Sequence, residues 1–360
     1  MPLKYKEDWD ETQERFKAWW AHEYFGRCAM AVTALRTDAP PDPKPAAPED
    51  PEVLWTDLDY WARRMEWEFR RTYYGGEAFP VWHCGYPGRE GLGVFLGCPV
   101  TLAETTGWVD PILTGEDFDA TALRIDPENR WWRFTLRAHE FAVEQCRGKA
   151  IPSIGAFGGC GDTLAWLRGS DRLLYDVLDR PERVRAADQH LMDLWIEVYA
   201  RFHAILRDVS GGSTCWFPLW SPGKFYATEN DFAYMISPRM FRDLFLPTIE
   251  KQLRFLDHAV HHVDGIGHFA HVDALCELPR LQALQILPGA GKPSPLHYLD
   301  VLKKVQAAGK NLHISIEPAE VRPALDNLSA RGLFIETHCE TENEARALLK
   351  NAERWSRDRG

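Results

Sequence analysis

The sequence predicts an α/β fold built on a parallel sheet, and three observations carry that expectation. From residue 258 to the end, short apolar runs alternate with segments of helical spacing. The runs are 258–264, 284–287, 312–316 and 333–337; the helical segments lie near 271–276, 295–308, 319–328 and from Thr341 onward. Strands separated by helix-sized crossovers are parallel. Second, the helix starts are marked by capping chemistry. Third, 360 residues with 45% hydrophobic and 26% charged residues suit one large decorated α/β domain spanning 1–360.

Taken in order, 6–24 and 53–74 carry apolar residues at helical spacing, as an N-terminal helical extension at about 1–75. Short β-like pieces fall at 29–34, 79–82 and 94–98, and the Pro/Ala/Asp-rich stretch 38–51 reads as an exposed loop. Asp126-Pro127 precedes a helix through Trp131, and Asp179-Arg180-Pro181-Glu182 opens a long one to about Ile205. Ser237-Pro238 and Ser294-Pro295 open two more, and Thr341-x-x-Glu344 is a capping box for the last. An open doubly wound sheet and a closed barrel both satisfy this pattern. No GxGxxG or P-loop favours nucleotide binding, and Gly158-Gly159-Cys160-Gly161 matches neither fingerprint.

A formal net charge of −11 argues against nucleic acid and anionic membrane as partners. The first ten residues are charged, without the apolar core of a signal peptide, and no run reaches the roughly 18 apolar residues of a membrane span. The eight cysteines are scattered with no CxxC pair, which suits reduced thiols in a cytoplasmic protein. Any of the fifteen tryptophans could offer a ring face to a methylated or cationic ligand, although core packing is the commoner role.

In parallel α/β folds ligands bind where strands end and helices begin. One such junction is His258-Ala-Val-His261-His262-Val-Asp264-Gly265, where His262 and Asp264, two apart on a strand, share a face. Another is Glu336-Thr337-His338-Cys339-Glu340-Thr341, which sets Cys339 beside a helix N-terminus, where the dipole favours a thiolate. Together His262, Asp264 and Cys339 make a three-ligand zinc site with an open fourth position. Between these lies an aromatic loop with Trp216, Trp220, Lys224 and Tyr226, followed by Glu229 and Asp231, which together could floor and wall a pocket. Weaker candidates are His83-Cys84-Gly85, Asp162 after the glycines, and His268, His271 and Asp273.

At these residues the chain resembles the uroporphyrinogen decarboxylase superfamily. The resemblance rests on Gly161-Asp-Thr-Leu-Ala-Trp-Leu-Arg-Gly-Ser, on Leu-Leu-Tyr-Asp-Val-Leu-Asp179-Arg-Pro-Glu, and on Asp231-Phe-Ala-Tyr-Met-Ile-Ser-Pro-Arg-Met-Phe-Arg. His261-His262-Val-Asp264-Gly265 stands where the corrinoid-linked methyltransferases of that superfamily carry a His-x-Cys-Gly zinc motif, and Cys339 where they carry a further Cys ligand. The resemblance implies a distorted (β/α)8 TIM barrel with additional N-terminal helices and a polar funnel at the strand C-termini. It also implies zinc-dependent methyl transfer between a small methylated substrate and a corrinoid. Asp231 or Glu229 would then orient the substrate, with Trp216, Trp220, Lys224, Tyr226 and Asp162 around it. Asp264 replaces the expected Cys, and a carboxylate is the harder ligand. No Arg-rich tetrapyrrole-gripping motif occurs near Arg27-Cys28-Ala29-Met30, so tetrapyrrole decarboxylation is not expected. No DxHxxG corrinoid signature occurs either, so cobalamin would arrive on a separate corrinoid protein. The alternatives are a metal-independent decarboxylase or lyase of the same fold, and a non-catalytic small-molecule-binding barrel.

Overall fold

The computed structural model describes residues 3–83 and 88–359. Its strands are β1 (Ala29–Leu35), β2 (Thr72–Gly76), β3 (Val81–Trp82), β4 (Val100–Leu102), β5 (Gly107–Val109), β6 (Ile151–Pro152), β7 (Ser213–Thr214), β8 (Trp220–Ser221), β9 (Phe225–Thr228), β10 (His258–Asp264), β11 (Ala283–Leu287), β12 (Asn311–Ser315) and β13 (Leu333–Thr341). Seven form one sheet in the order β2-β1-β13-β12-β11-β10-β9, parallel throughout except for β2. These strands are buried on both faces, as helix-covered parallel strands are.

β3 and β6 form a separate parallel pair, and a parallel bridge joins Ile154 to Cys215. Eight parallel strands are therefore present, but among the described residues no ladder closes them into a ring. The fold is α/β with a central parallel sheet, TIM-barrel-like rather than a closed (β/α)8 barrel. One cause is local: β2 pairs antiparallel with β1 from Leu35↔Thr72 to Ala31↔Gly76, taking the edge a second parallel strand would need. The N-terminal stretch 1–75 is accordingly not an appended helical extension, since β1 lies inside the sheet against β13.

Several local expectations shift. The helical pattern at 53–74 divides into helices Pro51–Thr56 and Leu58–Arg71, followed by β2; Asp57 ends the first and caps the second by accepting from Tyr60 N. The β-like run at 94–98 is instead a buried helical turn, Leu92–Phe95. The helix expected from Asp126-Pro127 starts at Arg130, because the Asn129 side chain caps Trp131 and Trp132 N–H. The capping box at Thr341 and Glu344 forms as expected, and Pro181–Ser210 makes one long helix. No helix among the described residues is long and apolar enough to cross a membrane.

The N-terminal segment is pinned by one buried charge. Glu77 is 0% exposed. It accepts two bonds from Arg27 (both 2.7 Å), one from Arg15 Nε (2.6 Å) and one from Met30 N (2.6 Å). Burial pushes this carboxyl up, but the two guanidiniums more than offset it and hold it below its ordinary value. Arg27 is thus consumed in a structural clamp that ties helix Trp9–Trp20 to β1. Glu77→Leu should destabilise the fold by about 3–5 kcal/mol, because it strands two partly buried cations. Urea unfolding followed by tryptophan fluorescence checks this, and an unchanged midpoint would show the clamp to be dispensable.

Candidate functional site

The site begins with the two-residue repeat of β10. His261 turns toward the surrounding helices, where its Nδ1 meets Thr228 Oγ1 at 2.8 Å. His262 turns inward, its ring edge-on to Trp216 with centroids 5.0 Å apart, and Asp264 follows on that inner face. Gly265, at φ +83°, then turns the chain away, a conformation that favours glycine. β11 runs in register so that Gln285 lies opposite His262, and His262 Nδ1 donates to Gln285 Oε1. That bond fixes the ring and leaves the Nε2 lone pair free.

The second wall is the segment following β9. Glu229 and Asp231 reach the site because helix Cys160–Arg168 approaches them at two glycines. A Cβ on Gly159 would lie 1.9 Å from Glu229 O, and one on Gly161 would lie 2.4 Å from Asn230 Oδ1. The glycine run thus serves close packing, not phosphate binding. Asp162, in the first turn of that helix, accepts from Phe232 N at 2.9 Å. Burial, with the Asp231 charge adding, pushes Asp162 up to about 7. Burial also raises Glu229 well above the ordinary range, with Asp162 and Asp231 adding. Asp231 stands at the solvent-exposed mouth, inside a concavity that still withdraws it from bulk water. That raises it, the His262 ring opposes the rise, and Asp264 reinforces it.

These groups enclose a cavity of about 500 Å³, ample for a small molecule. Asp162, Glu229, Asp231, His83 and His262 form its polar wall, and Trp166, Trp216, Phe232 and Met235 its apolar one. Among the described residues no Lys or Arg lines it. Asp231, His262 and Asp264 each bring a ligand atom within 4.8 Å of the other two. The Asp264 Oδ1 is buried without a hydrogen-bond partner. This donor set fits a divalent ion.

Cys339 is not part of that group. β13 runs on to Thr341, so Cys339 is a strand residue rather than a junction residue. Glu336 lies 3.4 Å from the His313 ring, whose edge faces Phe217, a neighbour of His262. Alternation from Glu336 sends Cys339 to the other face, into the apolar core. Burial and Glu344 raise its thiol pKa, opposite to the expected thiolate.

Three residues expected in the pocket lie elsewhere. Trp220 is core: it packs on Trp9 and Phe16, and its carbonyl accepts from Trp20 Nε1. Lys224 precedes β9, at the opposite end from the cavity, with its ammonium 4.3 Å from the Phe255 ring. Tyr226 is fully buried; its hydroxyl accepts from Phe157 N and donates to Gly155 O, so it holds the loop behind the cavity wall. The sequence reading treated the aromatic loop as one unit, but it contains β8 and β9, whose strands bury these side chains.

Of the weaker candidates, His83 lines the cavity, while Cys84 and Gly85 lie outside the described residues. His271 donates from Nε2 to Ala233 O at 2.8 Å, and with buried His268 it supports the turn that carries Asp231. Asp273 is an exposed partner of Lys304. Sequence reasoning missed Trp166, Phe232, Met235 and Gln285; the last was signalled by an amide within the otherwise apolar run Ala-Leu-Gln-Ile-Leu.

No family model and no curated protein matches the sequence. The fold does have a solved relative. A methyltransferase from Methanosarcina mazei is similar over 95% of this chain and 98% of its own, with a TM-score of 0.62 and 12% identity. At that identity the likeness is one of fold.

A further buried carboxyl lies behind Asp162. Asp188, on the long helix, is 0% exposed and takes the Thr248 hydroxyl. Burial pushes it up to about 8; the Thr248 bond opposes the rise and Asp162 adds to it. The folded chain therefore keeps a proton that the unfolded chain releases near pH ~4, so stability falls as pH rises from there toward 8. Asp188→Asn should match wild type near pH 4 and exceed it increasingly up to pH 8. Urea midpoints across that window check this, and a pH-independent difference would place the carboxyl's proton elsewhere.

Proposed function

We propose that this protein is a metal-dependent methyl-transfer enzyme, acting in the cytoplasm on a small methylated substrate and exchanging the methyl group with a corrinoid held by a separate protein. The observation that carries this reading is the convergence of Asp231, His262 and Asp264 at the edge of the cavity, whose wall Asp231 and His262 line. The fold likeness to a methyltransferase supports it. In this reading Asp231 takes the ligand place first given to Cys339. A zinc-class ion held there would act as a Lewis acid on a substrate heteroatom, making its methylated form a better methyl donor.

The chain's own residues set the conditions. Gln285 holds the His262 ring so that Nε2 faces the donor group. Asp162 and Glu229, holding protons in their dry setting, offer O–H donors that orient a substrate oxygen or nitrogen. Trp166 and Trp216 face the cavity with apolar surface, which suits a methyl group and keeps water from competing for it. With no Lys or Arg on its walls among the described residues, the cavity does not suit a tetrapyrrole bearing many carboxylates.

Elemental analysis of the chain purified without chelator should find about one zinc per protein. The ion should be lost in His262→Ala and Asp264→Asn and retained in Cys339→Ala. Loss in Cys339→Ala would return the thiol to the coordination shell in place of Asp231. A metal-free wild type would sink the reading and favour the metal-independent decarboxylase or lyase.

A further inference from the structure

Behind the cavity is a small recess that the metal group does not touch. His83 lines both spaces. The recess has a volume of about 30 Å³ and is walled by Arg89, Glu90, His139, Ser153 and Gly155. Arg89 is 2% exposed. Its Nε and Nη1 are fully buried without a hydrogen-bond partner, and among the described residues it forms no ion pair. Its guanidinium does lie 5.4 Å from the Phe134 ring, but a ring face does not satisfy N–H donors. A guanidinium stays charged in a protein, and a charge removed from water without a counterion is costly.

The neighbouring groups do not supply that counterion. Glu90 packs against Gly155, where a Cβ would come within 2.4 Å of its Oε1. Burial raises its carboxyl, against the pull of Arg89, so it resists carrying the balancing charge. Burial also lowers both rings at the recess, with Arg89 adding to the effect, and His139 is pushed down to about 4. His139 donates from Nδ1 to Thr135 O (2.7 Å) and leaves Nε2 as another buried atom without a partner. Ser153 gives its hydroxyl proton to Trp82 O.

We propose that the recess is a carboxylate-binding subsite, in which the Arg89 guanidinium takes the carboxylate of a molecule whose remainder occupies the adjoining cavity. Size selects the anion. About 10–15 Å³ accommodates one water, so the recess holds roughly two oxygen-sized groups, as a planar carboxylate presents, and excludes the four oxygens of a phosphate. The guanidinium fork matches a carboxylate with two parallel N–H···O bonds. The substrate class is thus a small methylated compound bearing a carboxylate at one end. That assignment to the substrate rests on the cavity being the reaction site, whereas the subsite itself does not.

The probe is sodium acetate against sodium chloride and sodium phosphate at matched ionic strength, with the thermal midpoint of the full chain as readout. Acetate should raise the midpoint of wild type saturably, and chloride and phosphate should not. In Arg89→Met the acetate response should weaken at least about tenfold, while the midpoint without acetate holds or rises because the unpaired charge has gone. Arg89→Lys should keep a weaker response, as a point charge without the fork does. Equal responses to the three salts, or an acetate response that survives in Arg89→Met, would overturn the proposal. An Arg89→Met chain whose midpoint falls without acetate would do so too, since it would show the cation to be structurally paired. None of these outcomes depends on metal content, so the subsite and the metal reading fail separately.

Discussion

Three carboxyl groups, Asp162, Glu229 and Asp231, share one concave wall, and their mutual repulsion is the constraint that organises the rest of the site. Asp162 comes from helix Cys160–Arg168, Glu229 and Asp231 from the segment after β9, and among the described residues no Lys or Arg lines the cavity with them. In a setting withdrawn from water such a set cannot all ionise. Two remedies exist: protons, which the raised values of Asp162, Glu229 and Asp231 describe, or a cation. In the proposed reading, a divalent ion at Asp231, His262 and Asp264 would relieve the same crowding by charge. Asp162, Glu229 and Asp231 therefore titrate as one interacting set rather than as separate acids. His262, with its ring fixed by Gln285, is the nitrogen donor that makes the set asymmetric and would give an ion one preferred place.

Holding like charges together requires a scaffold that does not relax, and the glycine contacts supply it. The segment after β9 is pressed against helix Cys160–Arg168 at Gly159 and Gly161, with no room for a side chain at either. Behind that helix, Trp195 donates to Gly158 O and Arg168 pairs with Asp176 in the interior. On the far side the Glu77 clamp fixes helix Trp9–Trp20 to β1. β10 itself needs no such device, since a strand buried between neighbours fixes its side-chain directions by pleat alone.

How much of this could be read in advance divides along the same physical line. β10 was legible to the residue, and with it the shared face of His262 and Asp264, because a period of two needs only local sequence. The Thr341 capping box was legible for the same reason. What failed depended on partners far off in the chain. β2 continues a helical pattern and becomes a strand only because β1 offers an edge. Leu92–Phe95 looks like a strand by composition but is a helical turn, buried beneath Asn129 and Phe157. Cys339 was misplaced by the unseen continuation of β13, since four extra strand residues turn a junction into a ladder and decide the face by parity. Asp231 reads from the sequence as a substrate-orienting carboxylate, and nothing local says that it meets His262 and Asp264.

The shared fold with the archaeal methyltransferase, at 12% identity, shows why site chemistry must be argued from side chains. A parallel sheet keeps its strand ends together whatever they carry, so the scaffold survives sequence change that replaces the donors on it. Here those donors make a polarised site. One end of the cavity concentrates carboxyl groups, and past His83 the recess holds a cation that has no partner among the described residues. A ligand complementary to both ends can lie in only one orientation. If the site carries the proposed methyl transfer, orientation is what it must enforce, because the methyl group has to face its acceptor in line with the bond that breaks. The costs of burying like carboxyls and a lone guanidinium are thereby offset only when a ligand is bound, which places the binding energy in positioning rather than in stabilising the empty fold.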